Sequence, residues 1–489
     1  MKHYIVSSFL MVIALFSALL PQTSLAVSNP ATISQVSVSI NRQPANNVGL
    51  APSSGAYLGM FVSDGKTLKA AAANGVSDPN AVNDGALLPY AGAVYGKQPA
   101  LFLTYANFAA QSAGSNFPLA FANSAKALGA GIQIGWQPEE VVNGTTESEA
   151  YLFSKAQIAA TNVYITRFID AAKASGVPVF LRFASEMNGN WVPWNGNPAL
   201  YKRAWIDVWN IVHQQHASNV KMVWSPIAIT TSAIDRTTVL SYYPGNQYVD
   251  WIGESVYLFP YNYFTHAVNL NANIVDIFAP LYHLMETKKY GHKPFMISEG
   301  AAASQMPVPW APGETAVMAG SQLTRFPAWS ITQLSEFFDI PEAYPDVKAI
   351  TWFNQSDHLA NITANDINLT FNTEDVPGLF AAFKRAVANP LYLSTIGSNA
   401  NGLSFVPWQK ASSLTGVHTV TPMLTLPNGE QPTTVEVVQN GTVLGRSTSA
   451  PWNVRVDFSE VHPGQPLQIL ALDAQGNILA EGSNTASGQ

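Results

Sequence analysis

The chain has 489 residues, 47% of them apolar and only 11% charged, with a net charge of −7. That is more chain than one average domain uses, so two folded parts are expected. The acidic balance offers no basic surface for a nucleic acid, and the lack of cysteine excludes disulfides, thiolate metal sites and cysteine nucleophiles. So few ionisable groups suit an extracellular protein living in acid, where little charge changes on protonation.

At the N-terminus, Lys2 and His3 precede an apolar run from Tyr4 to Leu20, and Ser24-Leu25-Ala26 supplies small residues at a cleavage site. This predicts a secretory signal over residues 1–26 and a secreted, extracellular product. No other stretch is apolar for long enough to span a bilayer, so no membrane association is expected after cleavage. Residues 27–50 are polar and rich in Pro and Asn, and read as a lead-in.

From residue 51 short apolar strands alternate with longer amphipathic stretches. The strands are expected at 56–62, 100–105, 131–136, 179–183, 220–224, 249–253, 295–298 and 349–353. Helices are expected at 119–128, 159–175 and 200–213, where apolar residues recur three and four apart, as at Ile165, Phe168, Ile169 and Ala172. Strands alternating with helices mean a parallel sheet. Eight of them over 51–393 predict an α/β fold, the eight-stranded (β/α)8 TIM barrel. An open doubly wound sheet would want a Gly-rich phosphate loop after an early strand, and none is present.

Residues 394–415 are rich in Ser, Asn and Gly and read as a linker. Over 416–489 the strands are short and the turns frequent, as at Asn440-Gly441. A small all-β, immunoglobulin-like sandwich is expected there, acting as a spacer. Trp452 is its single support for carbohydrate binding, and packing inside the module is the plainer use of that ring.

The chemistry concentrates at 178–194, P-V-F-L-R-F-A-S-E-M-N-G-N-W-V-P-W. A buried strand carrying Arg182 runs straight into Glu186, and the C-terminal ends of barrel strands are where such folds place their sites. Glu299 follows the seventh strand, three strand–helix units later, so the two glutamates face each other across the barrel mouth. Two carboxyls across a cleft suit glycosidic cleavage, one protonated to serve the leaving oxygen and one ionised. Burial near Met187 and the tryptophans would keep Glu186 protonated. Arg182 and a hydrogen bond from Tyr257 would keep Glu299 ionised. Retention or inversion depends on the separation of the carboxyls, which the sequence leaves open.

Sugar rings pack their C–H faces on indole. Trp136, Trp191, Trp194, Trp310 and Trp352 fall at or beyond strand ends and, with Asn188, are the substrate-binding candidates, Trp191 and Trp352 foremost. Trp205 and Trp251 read as core. His213 and His216 lie three apart on a helix with no third ligand, so no metal and no cofactor is expected. There is no G-x-S-x-G elbow and no Walker loop.

These phrases resemble glycoside hydrolase family 26, whose best-known members are secreted endo-β-1,4-mannanases. Arg182, Glu186, Met187, Asn188, Trp191, Pro193 and Trp194 fit the family's R-x-x-H-E-M-N-x-x-W-x-P-W phrase. Asn219 to Pro226, Tyr242 to Gly253 and Lys293 to Gly300 are similar to its next three strands. The resemblance implies a metal-independent retaining glycosidase. Its acid/base would be Glu186, its nucleophile Glu299 and the nucleophile's hydrogen-bond partner Tyr257, with Trp191 and Trp352 near the cleavage point. Ser185, Ile227 and Ser255 depart from the family's His, Asn and Asp. The expected substrate is β-1,4-mannan. A mixed-linkage β-glucan, a xylan or an exopolysaccharide is the alternative, and a non-hydrolytic polysaccharide-binding barrel the rival from another class. No feature forces an oligomer, so a monomer is expected.

Overall fold

A computed structural model of the chain describes residues 31–41, 49–76, 82–108, 114–138, 140–142, 145–147, 158–262, 267–286, 288–308, 322–355, 373, 376, 378–426 and 430–484. The signal expected at 1–26 and Trp310 lie outside the described residues. Among those described, no helix is long and apolar enough to cross a membrane.

The first strand, β1 (Thr32–Asn41), belongs to a sheet completed much later in the chain. The eight barrel strands are β2 (Ala56–Ser63), β3 (Leu101–Asn107), β4 (Gly131–Gln137), β5 (Val179–Phe183), β6 (Val220–Trp224), β7 (Trp251–Leu258), β8 (Phe295–Ala302) and β9 (Val347–Gln355). Each pairs in parallel with the next, and β9 closes on β2 from Ala349 opposite Tyr57 to Gln355 opposite Ser63. The result is the expected closed eight-stranded barrel.

The outer layer is built from α1 (Gly65–Ala73), α2 (Leu88–Tyr95), α3 (Leu119–Ala127), α4 (Ile158–Ser175), α5 (Pro198–Gln214), α6 (Ala233–Ser241), α7 (Ile274–Met285), α8 (Pro327–Ala343) and α9 (Leu379–Val387). Local chemistry sets their starts. Asn197 caps α5 through the Leu200 N–H with Pro198 in the first turn, and Ser232 caps α6 through Asp235.

Strand parity divides the barrel residues into two sets. Tyr57, Leu101, Phe180, Val223, Trp251, Met296 and Ala349 cluster together. Phe180 and Trp251 meet edge to face at 5.1 Å although β5 and β7 are not neighbours, so this layer fills the interior. Ile132, Ile134 and Trp136 point the other way, toward the helices, with the Trp136 ring stacked on Phe168 of α4.

The later strands are β10 (Leu403–Pro407), β11 (Val417–Thr425), β12 (Thr434–Gln439), β13 (Thr442–Ser447), β14 (Val454–Asp457), β15 (Gln468–Leu472) and β16 (Ile478–Ser483). They form two antiparallel sheets, ordered β10-β1-β11-β14 and β13-β12-β15-β16. A separate core lies with them, including Val38, Trp408, Val420, Val437, Trp452 and Ile469. Trp452 is thus buried within this all-β part.

Two stretches differ from expectation. Part of the lead-in, β1, is a central strand of the first sheet, pairing with β10 and β11 (Val38 opposite Val406 and Val420). The supposed linker supplies β10 and the buried Trp408. The polar composition of both stretches hid a few alternating apolar residues (Val36, Val38 and Ile40 in the first). Their pairing partners lie hundreds of positions away, where no local pattern can indicate them.

The all-β part also touches the barrel. On α8 the Glu336 carboxylate accepts from the Leu424 N–H of β11 at 2.6 Å. From the start of α7, Asn273 donates to the Leu424 carbonyl at 3.2 Å. The row Glu336, Asp339 and Glu342, spaced three apart on α8, is buried along this seam.

Candidate active site

Arg182 reaches from β5 across the barrel to Glu299 on β8. Its Nη1 lies 2.7 Å from Glu299 Oε2, and its Nη2 donates to Ser255 Oγ of β7 at 3.1 Å. The guanidinium is 1% exposed. An unpaired charge at that depth would be strongly destabilising, so Arg182 and Glu299 are mutually required.

Two phenols complete the carboxylate. Tyr257 of β7 donates to Oε1 at 2.6 Å, and Tyr105 of β3 donates to Oε2 at 2.5 Å. Burial, followed by the Glu299 charge, raises both phenols well above the ordinary tyrosine range, so each keeps its donor proton.

A bulge aims Glu299. On the β7 side the pairing steps from Ile297–Glu254 directly to Glu299–Ser255, so two residues of β8 oppose one of its neighbour. Ser298 already faces inward, bonded to Ser225 Oγ and to the Glu254 carbonyl, and its own carbonyl accepts from Gln133. Without the extra residue, Glu299 would face the helices.

Glu186 is held by a strained turn at the end of β5. Ala184 (φ 48°) and Glu186 (φ 60°) both take the left-handed conformation that non-glycine residues rarely adopt. The turn is pinned by Ala184 N–H to the Trp136 carbonyl at 2.9 Å and Glu186 N–H to the Ser225 carbonyl at 2.8 Å. Trp191 Nε1 donates to Glu186 Oε2 at 3.0 Å. Gly189 makes room for that indole, since a Cβ there would lie 2.5 Å from its ring.

Burial, then the nearby charge of Glu299, pushes Glu186 up to about 7, against the opposing pull of Arg182, Ser255 and Trp191. Trp191, Ile227 and Ala228 form a small apolar cluster beside the turn, with Val192 and Ile277 packed on it. Ile227 therefore sits in an apolar patch where the resemblance led one to expect an amide. Ser255 stands in for the expected Asp as a neutral partner of Arg182. The site thus holds two buried carboxyls and one cation, with the Glu186 carboxyl pushed up by its burial.

The other candidates divide. Asn188 exchanges two hydrogen bonds of 3.0 Å with the Ile227 backbone, so its amide braces the turn after β5 against the segment after β6. Trp194 is buried, with Nε1 on the Ser185 carbonyl at 2.8 Å. Trp136 and Trp352 are not at the site. Both are fully buried on the outer face of the barrel, Trp136 between Phe108 and Phe168, Trp352 against Phe337, Phe338 and Phe383. Proximity to a strand end suggested them, but parity decides, and on β9 the inward residue is Phe353. That ring stacks on Phe61 at 4.5 Å and meets Tyr257 edge-on at 6.0 Å. Tyr105 and Phe353 are the site neighbours that sequence reasoning missed. The available signal was an aromatic at an inward position near the C-terminal end of its strand. Among the described residues no cluster of His and acidic side chains could hold a metal ion.

Residues 115–311 match the family model for glycosyl hydrolase family 26. Among curated proteins, Endoglucanase H of Acetivibrio thermocellus is 34% identical over 98 residues, 18% of this chain and 11% of that protein. The match thus spans about a tenth of that relative's length. Among solved structures, a modular endo-β-1,4-mannanase from Cellulomonas fimi is 16% identical, with 88% of this chain and 93% of that one covered and a TM-score of 0.46. The catalytic domain of an endo-β-1,4-mannanase from Bacillus sp. JAMB-750 is 16% identical, with coverage of 72% and 91% and a TM-score of 0.47. A β-mannanase from Bacteroides ovatus is 17% identical, with coverage of 71% and 92% and a TM-score of 0.44.

Proposed function

We propose that this chain, which carries a glycosyl hydrolase family 26 domain over residues 115–311, is a secreted endo-acting β-glycanase with a retaining double-displacement mechanism. The observation that carries the proposal is the contrast in surroundings of two buried carboxyls. Glu299 is tied to Arg182, Tyr257 and Tyr105, while Glu186 is pushed up to about 7 beside Trp191. Such a split is what paired acid and nucleophile roles require.

In the first step Glu299 attacks the anomeric carbon and Glu186 gives its proton to the departing sugar oxygen. In the second, the Glu186 carboxylate takes a proton from water as the water oxygen displaces Glu299. Arg182 holds Glu299 in place throughout, and Trp191 orients Glu186. No step needs a metal or cofactor.

For substrate we favour β-1,4-mannan, the polymer named for the structurally similar mannanases. The name of the curated relative makes a β-glucan the first alternative, and xylan or an exopolysaccharide follows. The partner is the polysaccharide alone, and the enzyme works as an extracellular monomer with its all-β part as a spacer.

The test is hydrolysis of galactomannan, glucomannan, barley β-glucan, xylan and carboxymethylcellulose by the mature protein beside Glu186→Gln and Glu299→Gln. Reducing ends released from one polymer by the wild type and lost in both variants would support the proposal. Binding without cleavage would favour a polysaccharide-binding barrel instead.

A further inference from the structure

The two oxygens of Glu299 are not equivalent. An ionised carboxylate has about four acceptor positions, two on each oxygen. Oε2 takes two donors, Arg182 Nη1 at 2.7 Å and Tyr105 OH at 2.5 Å. Oε1 takes one among the described residues, Tyr257 OH at 2.6 Å. Oε2 is therefore full and Oε1 keeps one position open.

Tyr105 is well placed for this role. It comes from β3, far around the barrel from β8, and its ring lies over Gly135 of β4, where a Cβ would sit 2.6 Å from it. On its other side Phe61 meets it edge-on at 6.0 Å. The phenol is thus fixed from both neighbouring strands and aimed at a single atom.

We propose that Tyr105 is a positioning residue that fills Glu299 Oε2 and so reserves Oε1 as the atom that bonds to the anomeric carbon. This deepens the glycosidase proposal and rests on it. The Oε1–C1 bond forms as the C1–O bond to the leaving sugar breaks. That electron pair goes to the leaving oxygen, which takes the Glu186 proton. On hydrolysis the water oxygen bonds to C1, its proton goes to Glu186, and the pair returns to Oε1. Through both steps Oε2 stays with Arg182 and Tyr105, so the carboxylate does not rotate.

The test uses the full mature chain and the 2,4-dinitrophenyl β-glycosides of mannobiose, cellobiose and xylobiose, whose leaving group needs no acid. With whichever is cleaved, Tyr105→Phe is expected to lower kcat about 10- to 100-fold, the cost of a slightly misplaced reacting group. KM should stay within about threefold, because substrate binding does not use this phenol. A purely structural role would lower the melting temperature and leave the kcat-to-KM split unmoved. Independently of the variant, the wild type trapped with the matching 2-deoxy-2-fluoro glycosyl fluoride should show the ester on Oε1, with Oε2 still bonded to Arg182 and Tyr105. An ester on Oε2, or full kcat in a folded Tyr105→Phe, overturns the inference and leaves the glycosidase proposal standing. If the wild type cleaves none of the three glycosides and no polymer of the panel, the glycosidase proposal falls and this inference falls with it.

Discussion

Two regions of this molecule bury carboxyl groups, and they do it in opposite ways. In the barrel mouth, Glu186 and Glu299 share one buried cation, Arg182, with phenols and an indole as donors. Along α8, where the barrel meets the all-β part, Glu336, Asp339 and Glu342 lie buried with no ion pair among the described residues. Glu336 accepts from the Leu424 N–H, and Glu342 from Asn389 at 2.7 Å. The titratable groups that act on the row from neighbouring elements are Asp276 of α7 and Tyr392, joined by Tyr344 at the end of α8. Burial raises all three acids, and Asp339 is raised further by Glu342 and Glu336. The cleft gives its two carboxyls different surroundings, Glu299 paired with a cation and Glu186 raised by burial. The seam raises all of its carboxyls together, with no cation to divide them among the described residues. A buried carboxyl is therefore not in itself a functional signal; the charged partner that splits a pair is.

The largest expected effect is on activity. Glu299→Gln should abolish turnover by at least about 10⁴-fold, and Glu186→Gln should lower it by about 10²- to 10⁴-fold on unactivated substrate. Glu342→Gln should leave turnover at the wild-type level. Steady-state rates on the polymer that the wild type cleaves check this, and a comparable loss in Glu342→Gln would erase the distinction between the regions.

Stability should show the same asymmetry. Arg182→Met leaves Glu299 buried without its cation and should cost about 3–5 kcal/mol. Glu342→Gln keeps shape and hydrogen bonding and should be neutral at acidic pH. Denaturant unfolding of both variants at pH 5 makes the comparison, and equal losses would count against it.

The pH dependence follows from the direction of the seam shifts. A carboxyl raised in the folded state holds a proton that the unfolded chain releases above its own pKa, about 4.3 for Glu. Stability from the seam, and from the buried Glu254 on β7, is thus complete below that pH and falls as pH rises toward neutrality. Each unit of upward shift is worth about 1.4 kcal/mol. Thermal unfolding from pH 4 to pH 8 should show the decline, and Glu342→Gln should flatten it. A stability maximum at neutral pH would contradict both this and the acid habitat suggested by the sparse charge.

The smallest effect is in the cleft. Glu186 must be protonated to act as an acid, so kcat/KM should fall as pH rises through about 7. Trp191→Phe removes a donor that favours the ionised form. It should move that limb up by about one unit, from the strength of a hydrogen bond to a charged group. A limb that moves down would mean the indole acts mainly by excluding water.

Much of the fold was legible in the sequence because barrel strands are short apolar runs between amphipathic helices, a local pattern. All eight strands lay within a few positions of expectation, and Arg182, Glu186, Tyr257 and Glu299 stood at their ends. Three things only the tertiary structure decided. The β8 bulge turns Glu299 inward, which depends on register against β7. Parity put Phe353 rather than Trp352 inside the barrel and brought Tyr105 to Glu299, because which face of a strand meets the interior is set by its neighbours. And β1 pairs with β11, almost 400 residues later. Residue type and local spacing determine which elements form and which chemistry is available. Contacts between strands distant in sequence determine which atoms that chemistry can reach.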